Sequence, residues 1–272
     1  MLENLLAGRP SSVAAKTECA EKPKHRMINT KHRKMVLGLI ERYGLEPQLD
    51  TAMRLLSANW RRGTKDDEHL RLLMAAVVGP DSCCVDVGAN RGEFVARMIE
   101  LAPGGRHLAV EPLPELAAHI ADTLPKAIVH EVAASNVSGT TSFYRAVGRD
   151  GYSSLNADSS AEGEWEQLTV RTEPLDVILA DEPPPSFVKI DVEGAEFEAL
   201  QGLTRTMEAH HPVLWFEHGR SYGSGGTASG EIWDLLTSLG YRIFDADGRG
   251  PLERRDLVGT PGDPMMWNWF AR

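Results

Sequence analysis

Residues Cys83-Cys84-Val85-Asp86-Val87-Gly88-Ala89-Asn90-Arg91-Gly92-Glu93-Phe94 read as a buried strand, a tight glycine turn and the start of a helix. Val85 and Val87 are β-branched and flanked by small apolar residues, which suits a strand covered on both faces. Gly88 and Gly92 remove side chains where the chain turns sharply and where a ligand approaches backbone. The helix that follows points its free N–H groups and positive dipole end back toward the strand ends. In a doubly wound sheet, that crevice is where a nucleotide-like ligand sits. Phe187-Val188-Lys189-Ile190-Asp191-Val192-Glu193-Gly194-Ala195-Glu196 repeats the device, and its strand ends in closely spaced carboxylates.

Between and around these stretches the hydrophobic period alternates. Strands are expected at about 107–111, 128–133, 187–191 and 213–218, with helices at about 116–124 and 195–209 between them. Alternation at this spacing implies parallel βαβ units with right-handed crossovers. Further strands are expected at 140–145, 168–172, 241–244 and 266–271, and a helix around Ile232 to Leu239. Ahead of the sheet, residues 35–79 show helical periodicity. One helix is expected to stop before Gly63, and another to be capped by Asp66 or Asp67 and to carry Leu70, Leu73, Met74 and Val77. Residues 1–34 are basic and lack a sustained period. They read as a solvated arm, or as an arm that contacts a partner subunit or an anionic substrate. The organisation expected is therefore an arm over 1–34, a helical extension or lid over 35–79 and one α/β domain over 80–272.

Composition narrows the function classes. The chain has 272 residues, 42% of them hydrophobic and 25% charged, as in an ordinary globular protein. A formal net charge of −10 argues against a nucleic-acid binder that works by bulk positive charge. No apolar run approaches the roughly 20 residues of a membrane span, and the N-terminus lacks the order of a signal peptide. Cys19, Cys83 and Cys84 are too few and too badly placed for a disulfide framework or a zinc site. A cytoplasmic protein is expected.

The glycine turn departs from two familiar patterns. Asn90 stands where Gly-x-Gly-x-x-Gly of nicotinamide enzymes has glycine, and the lysine of a phosphate-binding loop is missing. A ligand that carries an adenosine and no phosphates fits better. Glu111 ends the second strand about 20 residues past the turn, where a carboxylate can accept both ribose hydroxyls; its bland alternative is a cap before Pro112. Asp86, inside an apolar strand, needs partners to be buried, and turn amides or a ligand ammonium can supply them.

Taken together, Val-Asp-Val-Gly-Ala-Asn-Arg-Gly (85–92), Val-Glu-Pro-Leu-Pro (110–114), Val-Ala-Ala-Ser (132–135), Ser-Ser-Leu (153–155), Pro-Leu-Asp (174–176) and Lys-Ile-Asp-Val-Glu-Gly-Ala-Glu (189–196) resemble the FkbM family of S-adenosylmethionine-dependent methyltransferases. The resemblance spans roughly residues 80 to 220. It implies an α/β fold, the Rossmann-like class I methyltransferase sheet of seven strands with helices on both faces, here with an N-terminal helical extension. It also implies methylation of a hydroxyl, often on a sugar or natural product. By the same likeness Asp86, Gly88, Asn90 and Gly92 line the methionine end of S-adenosylmethionine, Glu111 holds the ribose, and the segment from Glu131 to Ala133 flanks adenine.

The second constellation is Asp191, Glu193 and Glu196 with Glu217 and His218 at the end of the next strand. An alcohol is a weak nucleophile, so methyl transfer needs its proton removed as the oxygen attacks. His218 has a suitable ordinary pKa, and Asp191 or Glu193 can act as base or orient the hydroxyl. Asp191, Glu217 and His218 can also hold Mg²⁺, which would lower the hydroxyl pKa. Clustered acids repel, so a metal or a cation such as Lys189 is expected among them. Glu196 reads as a first-turn helix residue, and Asp245-Ala-Asp247-Gly248 as a turn rather than a glycosyltransferase metal motif. The acceptor expected is a small molecule or oligosaccharide, and self-association is left open. The rivals are an NAD(P)-dependent oxidoreductase, a non-catalytic binding module on the same fold and, more distantly, a glycosyltransferase.

Overall fold

A computed structural model of the chain describes residues 58–146, 165–218, 227–258 and 267–272. Residues 51–272 form one compact unit, to which all of these belong. The expectations for 1–34, for the helical pattern over 35–57 and for 153–155 lie outside the described residues.

The expected sheet is present. β1 (Cys83–Val87), β2 (His107–Val110) and β3 (Ala127–His130) run in parallel on one side of β7 (Pro185–Ile190). β8 (Val213–Glu217) pairs in parallel on the other side of β7. β10 (Asn268–Ala271) is antiparallel to both β8 and β9 (Ile243–Asp245). The order β3-β2-β1-β7-β8-β10-β9 makes a single seven-stranded sheet. Its reversal of order falls between β1 and β7, where the two diagnostic stretches end side by side.

Both faces are covered, which explains the continuous burial along β1 and β2. Val85, Val87, Val188, Ile190, Leu214 and Phe216 share one core with Ile232 and Leu236 of α7 (Thr227–Ser238). Cys84, Phe187 and Trp215 point the other way, into a core with Leu70 and Met74 of α1 (Ala58–Val77) and Met98 of α2 (Glu93–Leu101). The period-two pleat sorts side chains between these faces.

Four expectations are corrected. α1 runs unbroken through Gly63, and Asp66 sits inside it rather than capping it. Asp66 is buried and holds Arg62 one turn earlier and the Asn268 side-chain amide of β10, at 3.1 Å. The strand expected over 128–133 is two strands, because β4 (Ala133–Ala134) leaves the main sheet to pair with β6 (Trp165–Glu173). β6 also pairs antiparallel with β5 (Gly139–Ala146), giving a second sheet ordered β4-β6-β5. The helix expected over 195–209 is broken into α5 (Glu196–Gln201) and α6 (Thr204–His210). Gly202 separates them where any Cβ would strike the Ser135 carbonyl. Asp245 ends β9 and opens the turn that the sequence implies over 245–248: its Oδ1 accepts the Arg249 amide at 2.8 Å and its carbonyl the Gly248 amide at 2.9 Å.

Candidate active site

The turn after β1 is built from left-handed residues: Gly88 has φ 77°, Asn90 51° and Gly92 80°. A Cβ on Gly88 would collide with the Asp191 carbonyl, so glycine lets the turn pass against the end of β7. Asn tolerates the left-handed region better than most residues. The turn opens onto a cavity of about 630 Å³, counting the space at its mouth. Gly88 and Asn90 form one wall, Glu111 and Leu113 the next, Val132–Ala134 and Phe143 the far side, and Asp191–Glu193 the other rim.

Glu111 is 5% exposed and reaches both walls. Its Oε2 accepts the Asn90 amide at 2.8 Å and its Oε1 accepts the Leu113 amide at 3.0 Å. Burial pushes its carboxyl up to about 7, opposed by these two amides. Each carboxylate oxygen retains a lone pair beyond its backbone bond, so Glu111 can accept further hydrogen bonds from a ligand.

Asp86 does not line the cavity. It is 1% exposed and lies opposite Lys189 in the β1–β7 register. The partners expected from the sequence, turn amides or a ligand, are replaced by the Lys189 ammonium, 3.2 Å from Asp86 Oδ1. The contact is an ion pair of poor hydrogen-bond alignment, and the Val95 amide in the first turn of α2 also favours the Asp86 carboxylate. Lys189 also lies 3.4 Å from Asp191 Oδ2 and over the Phe94 ring, 5.3 Å from its centroid. Burial favours the neutral amine, but Asp86 and Asp191 outweigh it and raise the Lys189 pKa. Burial likewise raises the Asp86 pKa, with Lys189 opposing. Lys189 is thus the cation that the sequence requires among the acids.

Gly92 sits behind the turn, against Ile120 and Leu124, and Glu131 is exposed outside the cavity lining. Ala133 does line it, with Val132 and Ala134 beside it. Of the residues expected at a ligand, Gly88, Asn90, Glu111 and Ala133 therefore share one cavity with Asp191 and Glu193. Phe143 was not legible as a wall residue, because it arrives from the second sheet.

The pleat divides the second constellation. Lys189 is opposite Trp215 and Ile190 opposite Phe216, so Glu217 follows Trp215 to the α1 face and His218 follows Phe216 to the α7 face. Burial first, and then Asp191, Glu193 and Glu196, raise the Glu217 carboxyl far above the usual carboxylate range. It therefore carries a proton at neutral pH. His218, 6% exposed, has Nε2 2.7 Å from Ser229 Oγ and Nδ1 3.5 Å from Glu196 Oε2, away from the cavity lining. Asp191, Glu217 and His218 accordingly do not come together as a ligand set for Mg²⁺. Among the described residues, the one trio whose ligand atoms lie within 4.8 Å of one another is Asp66, His69 and Asp247. That trio is occupied otherwise: Lys65 and Arg62 pair with Asp247 at 2.8 and 3.2 Å, and His69 Nδ1 meets the Ala246 carbonyl at 2.7 Å.

Strand order, glycine turn and the carboxylate ending β2 together define a class I methyltransferase fold. The Methyltransferase FkbM domain model matches residues 86–243, more than half of the chain, and the chain belongs to that family of methyltransferases. It is 24% identical over 222 residues to 2-O-methyltransferase NoeI of Sinorhizobium fredii, covering 75% of this chain and 91% of that protein. Methyltransferase FkbM from Methylobacillus flagellatus superposes with a TM-score of 0.43 at 20% identity, over 71% of this chain. The match spans only 44% of the Methylobacillus chain. SMU.1697c of Streptococcus mutans, solved in complex with SAH, gives a TM-score of 0.43 at 9% identity, over 75% of this chain and 96% of that one. Among the described residues no helix is long and apolar enough to cross a membrane.

Proposed function

We propose that this methyltransferase moves a methyl group from S-adenosylmethionine to a hydroxyl, on a sugar, oligosaccharide or glycosylated natural product. The observation that carries the reading is the charge of the cavity: among the described residues its lining holds Glu111, Asp191 and Glu193 and no Lys, Arg or His. A dinucleotide would set a pyrophosphate against carboxylates, whereas S-adenosylmethionine presents a sulfonium, an ammonium and two ribose hydroxyls. The residues fit that ligand. Glu111 is available to ribose, Gly88 and Asn90 to the amino-acid end, and Leu113, Ala133 and Phe143 give an apolar slot for a base. This disfavours the NAD(P)-dependent alternative.

Bound there, S-adenosylmethionine supplies a methyl group activated by positively charged sulfur. The chain's own contribution is to hold the acceptor and take its proton. Asp191 and Glu193 border the cavity and are the groups we assign to proton removal. Glu217, protonated beside them, can donate a hydrogen bond to an acceptor oxygen. His218 is not placed for that work, and Mg²⁺ has no assembled ligand set at Asp191, Glu217 and His218. A sugar acceptor draws support from family membership and from the activity named for NoeI.

Calorimetry with S-adenosylhomocysteine and with NAD tests the cofactor, and mass-shift screening of hydroxylated saccharides tests the acceptor. The reading expects S-adenosylhomocysteine to bind, NAD not to bind, and saccharide products to gain one methyl group. NAD binding without S-adenosylhomocysteine binding overturns it.

A further inference from the structure

We propose that Glu196, His218 and Ser229 form a buried relay that fixes the Glu193–Gly194 turn, so that His218 is a positioning residue and not a base. The inference rests on reading Asp191 and Glu193 as the reacting rim. That rim is conformationally expensive: Glu193 has φ 52° and Gly194 φ 103°, both left-handed. A non-glycine residue in that region persists only where its surroundings over-determine it.

The constraint comes from below. Gly194 donates its amide to Glu196 Oε1 at 2.9 Å. Glu196 is 2% exposed, and its other oxygen faces His218 Nδ1 at 3.5 Å, a polar contact in which Nδ1 makes no aligned hydrogen bond. A buried carboxylate there selects the tautomer with the proton on Nδ1, which leaves Nε2 to accept the Ser229 hydroxyl at 2.7 Å. Ser229 is itself 2% exposed, in the first turn of α7. The backbone of His218 is held as well, its amide donating to the Trp267 carbonyl at 2.6 Å and its carbonyl accepting Trp269 Nε1 at 3.1 Å. The imidazole therefore connects α7 and the end of β8 to the loop that presents Asp191 and Glu193.

A serine, a histidine and an acid in this order would read in a cleft as nucleophile, base and orienting group. Here Ser229 is buried and outside the cavity, so no substrate reaches its Oγ. What remains is placement: without the imidazole, Glu196 loses the buried polar group that faces it at 3.5 Å, and its grip on Gly194 loosens.

The test is amide exchange at Gly194, followed by NMR in His218→Asn, His218→Gln and Ser229→Ala, with Val188 in β7 as the internal reference. Asn keeps a donor near the Nδ1 position, whereas Gln reaches only toward Ser229. Exchange at Gly194 should stay within about twofold of wild type in H218N and rise about tenfold in H218Q, the scale of one lost hydrogen bond. Turnover should follow the same order through kcat, with S-adenosylhomocysteine affinity unchanged. Should H218Q lose its fold and with it Val188 protection, S229A decides: faster exchange at Gly194 alone supports the relay, and a wild-type rate overturns it. Equal exchange in H218N and H218Q overturns it too, as does loss of turnover in H218N by the hundredfold or more expected for a removed base. Because exchange is read without substrate, a protein that shows the exchange pattern but transfers no methyl group sinks the proposed function and leaves the relay standing.

Discussion

Glu111 at the end of β2 accepts the amide of Asn90 in the turn after β1 at 2.8 Å, so one carboxylate sets the separation of two cavity walls. The bond is made by a residue whose burial raises its pKa to about 7, well above that of an exposed glutamate. The oxygens that hold the two walls together are the same ones the proposed function offers to ribose.

From this, affinity for S-adenosylhomocysteine should depend on pH. Ribose hydroxyls donate to an ionised carboxylate better than to a neutral acid. Binding should tighten as pH rises through about 7 and level off above it, where Glu111 is ionised. Glu111→Gln should flatten that profile and weaken binding about tenfold or more, for one charged hydrogen bond lost. Calorimetry at several pH values measures both.

Gly88→Ala should damage folding and site together. The new methyl group meets the Asp191 carbonyl, and the residue must hold φ at 77°. Strain of this kind costs on the order of 1–3 kcal/mol for the dihedral alone. A lowered Tm with loss of S-adenosylhomocysteine binding is expected, and an unchanged Tm would refute the close approach.

Breaking the Asp86–Lys189 pair should be costly. Lys189→Met leaves a carboxylate that is 1% exposed without its cation. Removal of one partner from a buried pair typically costs about 3–5 kcal/mol. Chemical denaturation should show a loss of that order for K189M, and a smaller one when Asp86→Asn is added, because the unpaired charge is then gone.

Glu217→Gln should stabilise the protein, increasingly so as pH rises. The folded pKa of Glu217 is raised far above an ordinary 4.5. Above 4.5 the unfolded chain releases this proton while the folded protein keeps it, so ionisation favours unfolding and wild-type stability declines as pH rises. Gln removes that penalty. Thermal unfolding should give E217Q a Tm close to wild type near pH 4.5 and a higher one at pH 8; a lower Tm at pH 8 would contradict the shift.

The sequence by itself determined whatever depends on neighbours along the chain. Strand, turn and helix at 83–94 follow from β-branched residues ahead of Gly88 and Gly92, and the parallel βαβ units from the alternation of strands and helices; the full seven-stranded sheet was implied by the family resemblance. Glu111 was legible because a fixed βαβ length puts the end of β2 beside the turn after β1. Only tertiary structure decided the rest. Asp86 found Lys189 because register, which local patterning does not encode, sets those two residues opposite each other. Phe143 reached the cavity by way of a second sheet, formed where β4 leaves the first. Glu217 and His218 are adjacent in sequence, yet the pleat sends one to the acids beside Lys189 and the other to Glu196 and Ser229. A strand's alternation declares that neighbours part; which face meets which partner is fixed only when the sheet and its helices pack.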